Sequence, residues 1–157
     1  MTIETQRPDA EDMRAAGCPA DALVMTLDGL MPALQLNAGQ RLLTRDGVRK
    51  LLSVEMLDLR VECVWLAAGS LGPASPSQAA LLPAQQRVFL RDWRAQMFGH
   101  GRAAMVPLAH LVDDDMIKRV GVKRLSLVRL RFNAPQVVYA GGLELACATR
   151  ETLPKAA

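Results

Sequence analysis

The stretch at residues 81–99, "LLPAQQRVFLRDWRAQMFG", is the most individual run in this 157-residue chain. It opens apolar, sets down Pro83, the neutral amides Gln85 and Gln86, and then Arg87. A strand-like Val-Phe-Leu follows and leads into Arg91-Asp92-Trp93-Arg94. Three readings of "PAQQR" stand open: a working site, the remains of one, or a turn between two strands.

Outward from that stretch the pattern is one of short strands and tight turns. Downstream, "KRLSLVRLRF" alternates, with Leu125, Leu127, Val128, Leu130 and Phe132 apolar and Ser126, Arg129 and Arg131 expected on the wet side. "QVVYAGGLEL" reads as a last strand pair around Gly141-Gly142. Upstream, Asp28-Gly29 sits between two apolar runs, and Asn37-Ala38-Gly39 and Asp46-Gly47 bracket the short strand "QRLLT". From residue 50 to 65, Val54, Met56, Leu59, Val61, Cys63 and Trp65 recur with polar residues mostly between. This predicts a long or bent strand with one core face. A helix over "VRKLLSVEMLDL" competes, because Leu and Met are good helix formers; the β-branched and aromatic run that follows argues for strand at its end.

The segment "AAGSLGPASPSQ" (67–78) is a loop dividing the domain into halves. Pro107 interrupts any long helix in "RAAMVPLAHLVDDDMIKRV", leaving one helical turn or two. The acids at 113–115 lack the ligand spacing of a calcium loop and read as a solvated turn. Many short strands with turn signals every 8–12 residues or so predict a compact all-β domain with little helix.

Composition bounds the function. Half the residues are apolar and 22% are charged, which is globular. A net charge of +3 and a pI near 9.0 raise nucleic acid as a partner. The basic pairs Arg49-Lys50, Lys118-Arg119 and Lys123-Arg124 are interleaved with acids and lack aromatic neighbours, so no nucleic-acid partner is expected. No apolar run approaches the roughly 20 residues of a membrane span. The opening "MTIETQRPDAEDMRAAG" is polar and acidic, unlike a secretory signal, and reads as a loose leader. With an odd count of three cysteines, Cys18, Cys63 and Cys147, the expected compartment is the cytoplasm. No pair has C-x-x-C spacing and neither His100 nor His110 complements them, so no metal and no cofactor is expected. Cys63 and Cys147 read as small buried apolar side chains.

Four segments, in order, resemble the bacterial branch of the Hint domains, the Hedgehog/intein autoprocessing fold. They are "MPALQLNAGQRLLTRDG", "LLPAQQRVFLRDWRAQMFG", "VPLAHLVDDDMIKRV" and "VRLRFNAPQVVYAGGLEL". The second is similar to a family segment that runs Ser-Pro-Gln-His-Arg-Val-Leu-Leu and on through Arg-Asp-Trp. The resemblance spans about residues 20–147 and implies a flattened all-β fold of two pseudo-symmetric halves. It divides the chain into a leader at 1–17, a domain at 18–150 and a tail at 151–157.

The resemblance also implies a chemistry. A Cys opening the domain attacks the carbonyl of the residue before it, and the peptide becomes a thioester. That step needs a thiol whose own backbone nitrogen is the leaving group. A proton donor near neutrality, usually a His, must serve that nitrogen. The oxyanion must also be stabilised.

Cys18, after Gly17, stands at the nucleophile's place. Pro19 replaces the family's aromatic, and the spacing to Thr26, seven residues, is one shorter than the family's. Cys18 therefore carries two readings, nucleophile or ordinary small residue at the join. The family's His falls at Gln86 and its hydroxyl at Pro83. Pro135 and Gln136 replace a further His and acid. A Gln amide delivers no proton near neutral pH, and general-acid help is worth about 10²–10⁴ in rate.

The resemblance thus predicts a degenerate Hint domain, inactive in autoprocessing, serving as a binding or structural module. Its partner would be an unknown protein or its own leader, with Trp93 marking one face. Slow self-cleavage between Gly17 and Cys18 is the alternative.

Overall fold

The computed structural model describes residues 14–91, 93–98 and 104–149. The chain is built from β1 (Cys18–Pro19), β2 (Leu23–Thr26), β3 (Gly29–Pro32), β4 (Arg41–Thr44), β5 (Gly47–Lys50) and β6 (Ser53–Leu66). Then follow β7 (Ala80–Pro83), β8 (Arg87–Leu90), the short helix α1 (Trp93–Phe98), β9 (Ala104–Pro107), β10 (Ile117–Phe132), β11 (Gln136–Ala140) and β12 (Leu143–Thr149). Two 3-10 turns, Ala33–Gln35 and Leu108–Leu111, complete the described elements. The all-β expectation holds, and "PLAHLV" supplies a single turn of helix after Pro107.

Two hairpins repeat one local device. In Thr26-Leu27-Asp28-Gly29 the Thr26 hydroxyl accepts from the Asp28 N–H at 3.0 Å and donates to the Gly29 carbonyl at 2.7 Å. In Thr44-Arg45-Asp46-Gly47 the Thr44 hydroxyl does the same, at 3.1 Å and 2.7 Å. A buried threonine thus closes each Asp-Gly turn from inside, as local side-chain hydrogen bonding favours. These turns join β2 to β3 and β4 to β5.

β6 and β10 form a long antiparallel ribbon, in register from Ser53 opposite Arg131 to Leu66 opposite Ile117, with one bulge between Arg119 and Gly121. Strand wins over helix across residues 48–59: Val48 to Lys50 pair with β4 as part of β5, and from Ser53 onward β10 satisfies the backbone of β6. The ladder β11–β12 carries β2, β4 and β8 at its sides, and β10 joins it through a short parallel pairing of Arg131 with Ala148 and Phe132 with Thr149. The core sits where these ladders meet, around Leu42, Leu51, Leu66, Leu82, Leu108 and Phe132.

Two side-chain expectations are corrected. Met56 is 39% exposed whereas Leu59 and Cys63 are buried. Met56 and Val54 have the opposite parity to Leu59, Val61 and Cys63, so an unbroken strand must turn them to opposite faces. Arg129 and Arg131, expected in solvent, are buried at 6% and 4% exposure. Along residues 127–132 every residue of β10 is buried, so both of its faces are covered there. The expectation of a wet face holds at Ser126, which is exposed; further along the ribbon Arg124 pairs with Asp58 and Arg119 with Glu62.

The acids at 113–115 form a turn. The Asp113 carboxylate accepts backbone N–H bonds from Asp115, Met116 and Ile117 at 2.9–3.0 Å. Those donors, Ile117 first, hold its pKa below the usual carboxylate range.

Candidate functional site

Three segments that are distant in sequence meet where the chain enters the domain: Gly17-Cys18, the turn at Gln86, and β10 at Val128. Gly17 lies immediately before β1, which pairs with β10 through Cys18 opposite Val128. Gly17 has φ +134°, and a Cβ added there would stand 2.5 Å from the Val128 carbonyl oxygen. Only glycine permits so close an approach in that backbone conformation. The sequence suggests that this glycine leaves an unhindered carbonyl; its tertiary role is to let β1 lie against β10.

Gln86 is fully buried in the turn between β7 and β8. Its Oε1 accepts the Gly17 N–H at 3.1 Å, while its Nε2 donates to the carbonyls of Arg87 at 2.9 Å and Ala146 at 3.2 Å. One side chain thus ties the entering strand to β8 and β12, with both amide hydrogens used.

Cys18 is 2% exposed, and its Sγ lies 3.7 Å from the Val128 carbonyl oxygen. Burial pushes its pKa up to about 12. At neutral pH about one molecule in 10⁵ would carry the thiolate, which is the nucleophilic form. Cys147, only partly buried on β12, is also pushed up, first by burial and then by Cys18 nearby.

The arrangement therefore brings Gln86 to the nitrogen of residue 17, one residue short of the nucleophile's own nitrogen. An amide oxygen that accepts from an N–H leaves that nitrogen a donor and adds no proton to it. Gln86 thus works here as an anchor of the strand. Pro83 is buried on β7 opposite Cys63, and Gln136 is buried with its Oε1 3.2 Å from the Thr44 hydroxyl. Pro135 is exposed beside Gln136. His110 is exposed on its 3-10 turn. His100 and the side chain of Trp93 lie outside the described residues. Among the described residues no group of three or more His, Cys, Asp or Glu could hold a metal, and no helix is long and apolar enough to cross a membrane.

Beside this junction opens a cleft of about 550 Å³, lined among others by Arg14, Arg45, Arg87, Phe89, Gln136 and Cys147. Arg45 stacks 3.7 Å over the Phe89 ring and bonds Glu144 at 3.1 Å. Sequence reasoning missed this arginine cluster, because its members come from separate elements with no shared spacing.

The architecture is that of an intein-type domain. The gp41-1 intein matches with a TM-score of 0.51 at 10% identity, covering 82% of this chain and 96% of its own. The MchDnaB-1 intein matches with a TM-score of 0.51 at 10% identity, covering 82% of this chain and 98% of its own. At such identity the likeness concerns the fold alone. The family itself is shown by sequence: the Hint domain family matches residues 18–150, and the chain belongs to it. No curated protein matches the sequence.

Proposed function

We propose that this chain is a Hint domain whose autoprocessing has lapsed and which keeps its N-terminal junction uncut, serving as a binding or structural module. The observation that carries the reading is the Gln86 anchor. Its carboxamide holds the Gly17 N–H at 3.1 Å, where the chemistry would require a proton donor on the nitrogen of Cys18. The buried thiol supports the same reading: a nucleophile needs its thiolate, and burial suppresses it.

Intact mass tests this directly. The full-length chain is incubated with dithiothreitol or hydroxylamine beside a Cys18→Ala variant. The expected result is an unchanged mass in both. A thiol-dependent loss of residues 1–17 that Cys18→Ala abolishes would establish slow cleavage between Gly17 and Cys18 instead.

A further inference from the structure

We propose that the arginine-lined cleft beside the junction is a carboxylate-binding site and that its occupant is the acidic segment of this same chain just before Arg14. The inference rests on the reading above, since a chain cut between Gly17 and Cys18 would release that segment.

Three observations carry it. The first is charge. Arg14, Arg45 and Arg87 line the cleft, against Asp46 as the acid among its lining residues. Arg45 is partly neutralised by Glu144, which also bonds Arg91 at 3.3 Å. Arg87 has no carboxylate partner among the described residues, and its Nε is buried without a hydrogen bond. A buried guanidinium nitrogen without an acceptor is costly, and a carboxylate is the acceptor that best suits its planar fork.

The second is composition. Residues 1–13 hold Glu4, Asp9, Glu11 and Asp12 against Arg7. Three of these acids fall within the five residues before Arg14.

The third is reach. Arg14 and Ala15 themselves line the cleft, so the chain already runs along its wall. At roughly 3.3–3.6 Å per extended residue, Asp12 lies within about 7 Å of Arg14 along the backbone and Glu11 within about 11 Å. A cleft of about 550 Å³ is therefore within range of either carboxylate. Tethering makes the encounter intramolecular, at effective concentrations on the order of millimolar.

Cys147 lines the same cleft and serves as a native reporter. Its alkylation rate is measured on the full-length chain by peptide mass mapping, with intact mass showing that residues 1–17 are still attached. Three chains are compared: unaltered, a leader-neutralised D9N/E11Q/D12N, and a control D21N/D114N/D115N. The control removes as many charges from exposed positions that do not line the cleft.

Cys147 in the leader variant should react at least about threefold faster than in the other two. High salt should raise the rate of the unaltered chain towards that of the leader variant, by screening. Arg87→Gln should mimic the leader variant, and combining the two should add nothing.

Equal rates in all three chains would overturn the proposal, as would independent additive effects of the leader and Arg87 substitutions. A rate that depends on protein concentration would also overturn it, because the occupant would then be a second copy's leader. The leader variant changes no residue of the described sheet, so the test stands even if Arg87→Gln fails to fold. Loss of residues 1–17 in the intact mass would instead mark failure of the uncut-junction reading.

Discussion

Replacing Gln86 by Leu probes the anchor most directly. Leu keeps the volume and the apolar packing of a fully buried position but removes all three hydrogen bonds. The Gly17 N–H is then left buried and unpaired, at about 1–3 kcal/mol. The Arg87 and Ala146 carbonyls each lose one bond, worth about 0.5–1.5 kcal/mol apiece. The sum is about 2–6 kcal/mol, a large part of the roughly 5–15 kcal/mol that stabilises a typical domain. At roughly 2–4 °C per kcal/mol for a chain of this size, the melting temperature should fall by about 4–24 °C. Calorimetry or circular dichroism on the full-length chain reads this out. Hydrogen exchange should show the Gly17 amide protected in the unaltered chain and exchanging faster in the variant. A Gln86→Leu variant within about 1 °C of the parent, with Gly17 equally protected, would refute the anchoring role.

Three other outcomes are expected. Cys18 should resist iodoacetamide in the native chain at pH 8, reacting about 10³-fold more slowly than an exposed thiol of ordinary pKa, and should become reactive in guanidinium; rapid native labelling at Cys18 would contradict its burial. Gly17→Ala should destabilise the domain by about 1–3 kcal/mol or more, since the residue is strained at positive φ and its Cβ meets backbone; an unchanged melting temperature would show that β1 does not lie against β10 as described. For Asp113 the folded pKa is depressed, so its contribution is present above the unfolded value of about 3.9 and is lost as pH falls through the folded value. Asp113→Asn should therefore lower the melting temperature near neutrality and approach the parent as pH falls through the depressed folded value; a gap that persists or widens in acid would contradict this.

Much of the fold was legible because its signals are local. Both Asp-Gly turns stand where a Thr two residues earlier closes them, and the strand pair around Gly141-Gly142 forms as its Gly-Gly turn predicts. The long β6–β10 ribbon was legible only in part. Alternation identified the strands, but the faces of Met56, Arg129 and Arg131 depend on which neighbours cover them, and those neighbours are far away in sequence. The candidate site was legible as residue types. Cys18 and Gln86 stand out once the order of segments is seen, yet their relation does not. That Gln86 reaches residue 17 and not residue 18 follows from the pairing of Cys18 with Val128, a contact between residues 110 apart.

The sequence by itself determined the class of this protein: an all-β Hint domain, with an amide where the chemistry calls for a proton donor. Periodicity, turn chemistry and residue identity are properties of neighbours along the chain, and they carry that much. Only the tertiary structure decided what the amide does, how deeply the thiol is buried, and that three arginines from separate elements share one cleft. Each of those is a matter of distance and solvent exclusion, which arise when strands far apart in sequence are brought together.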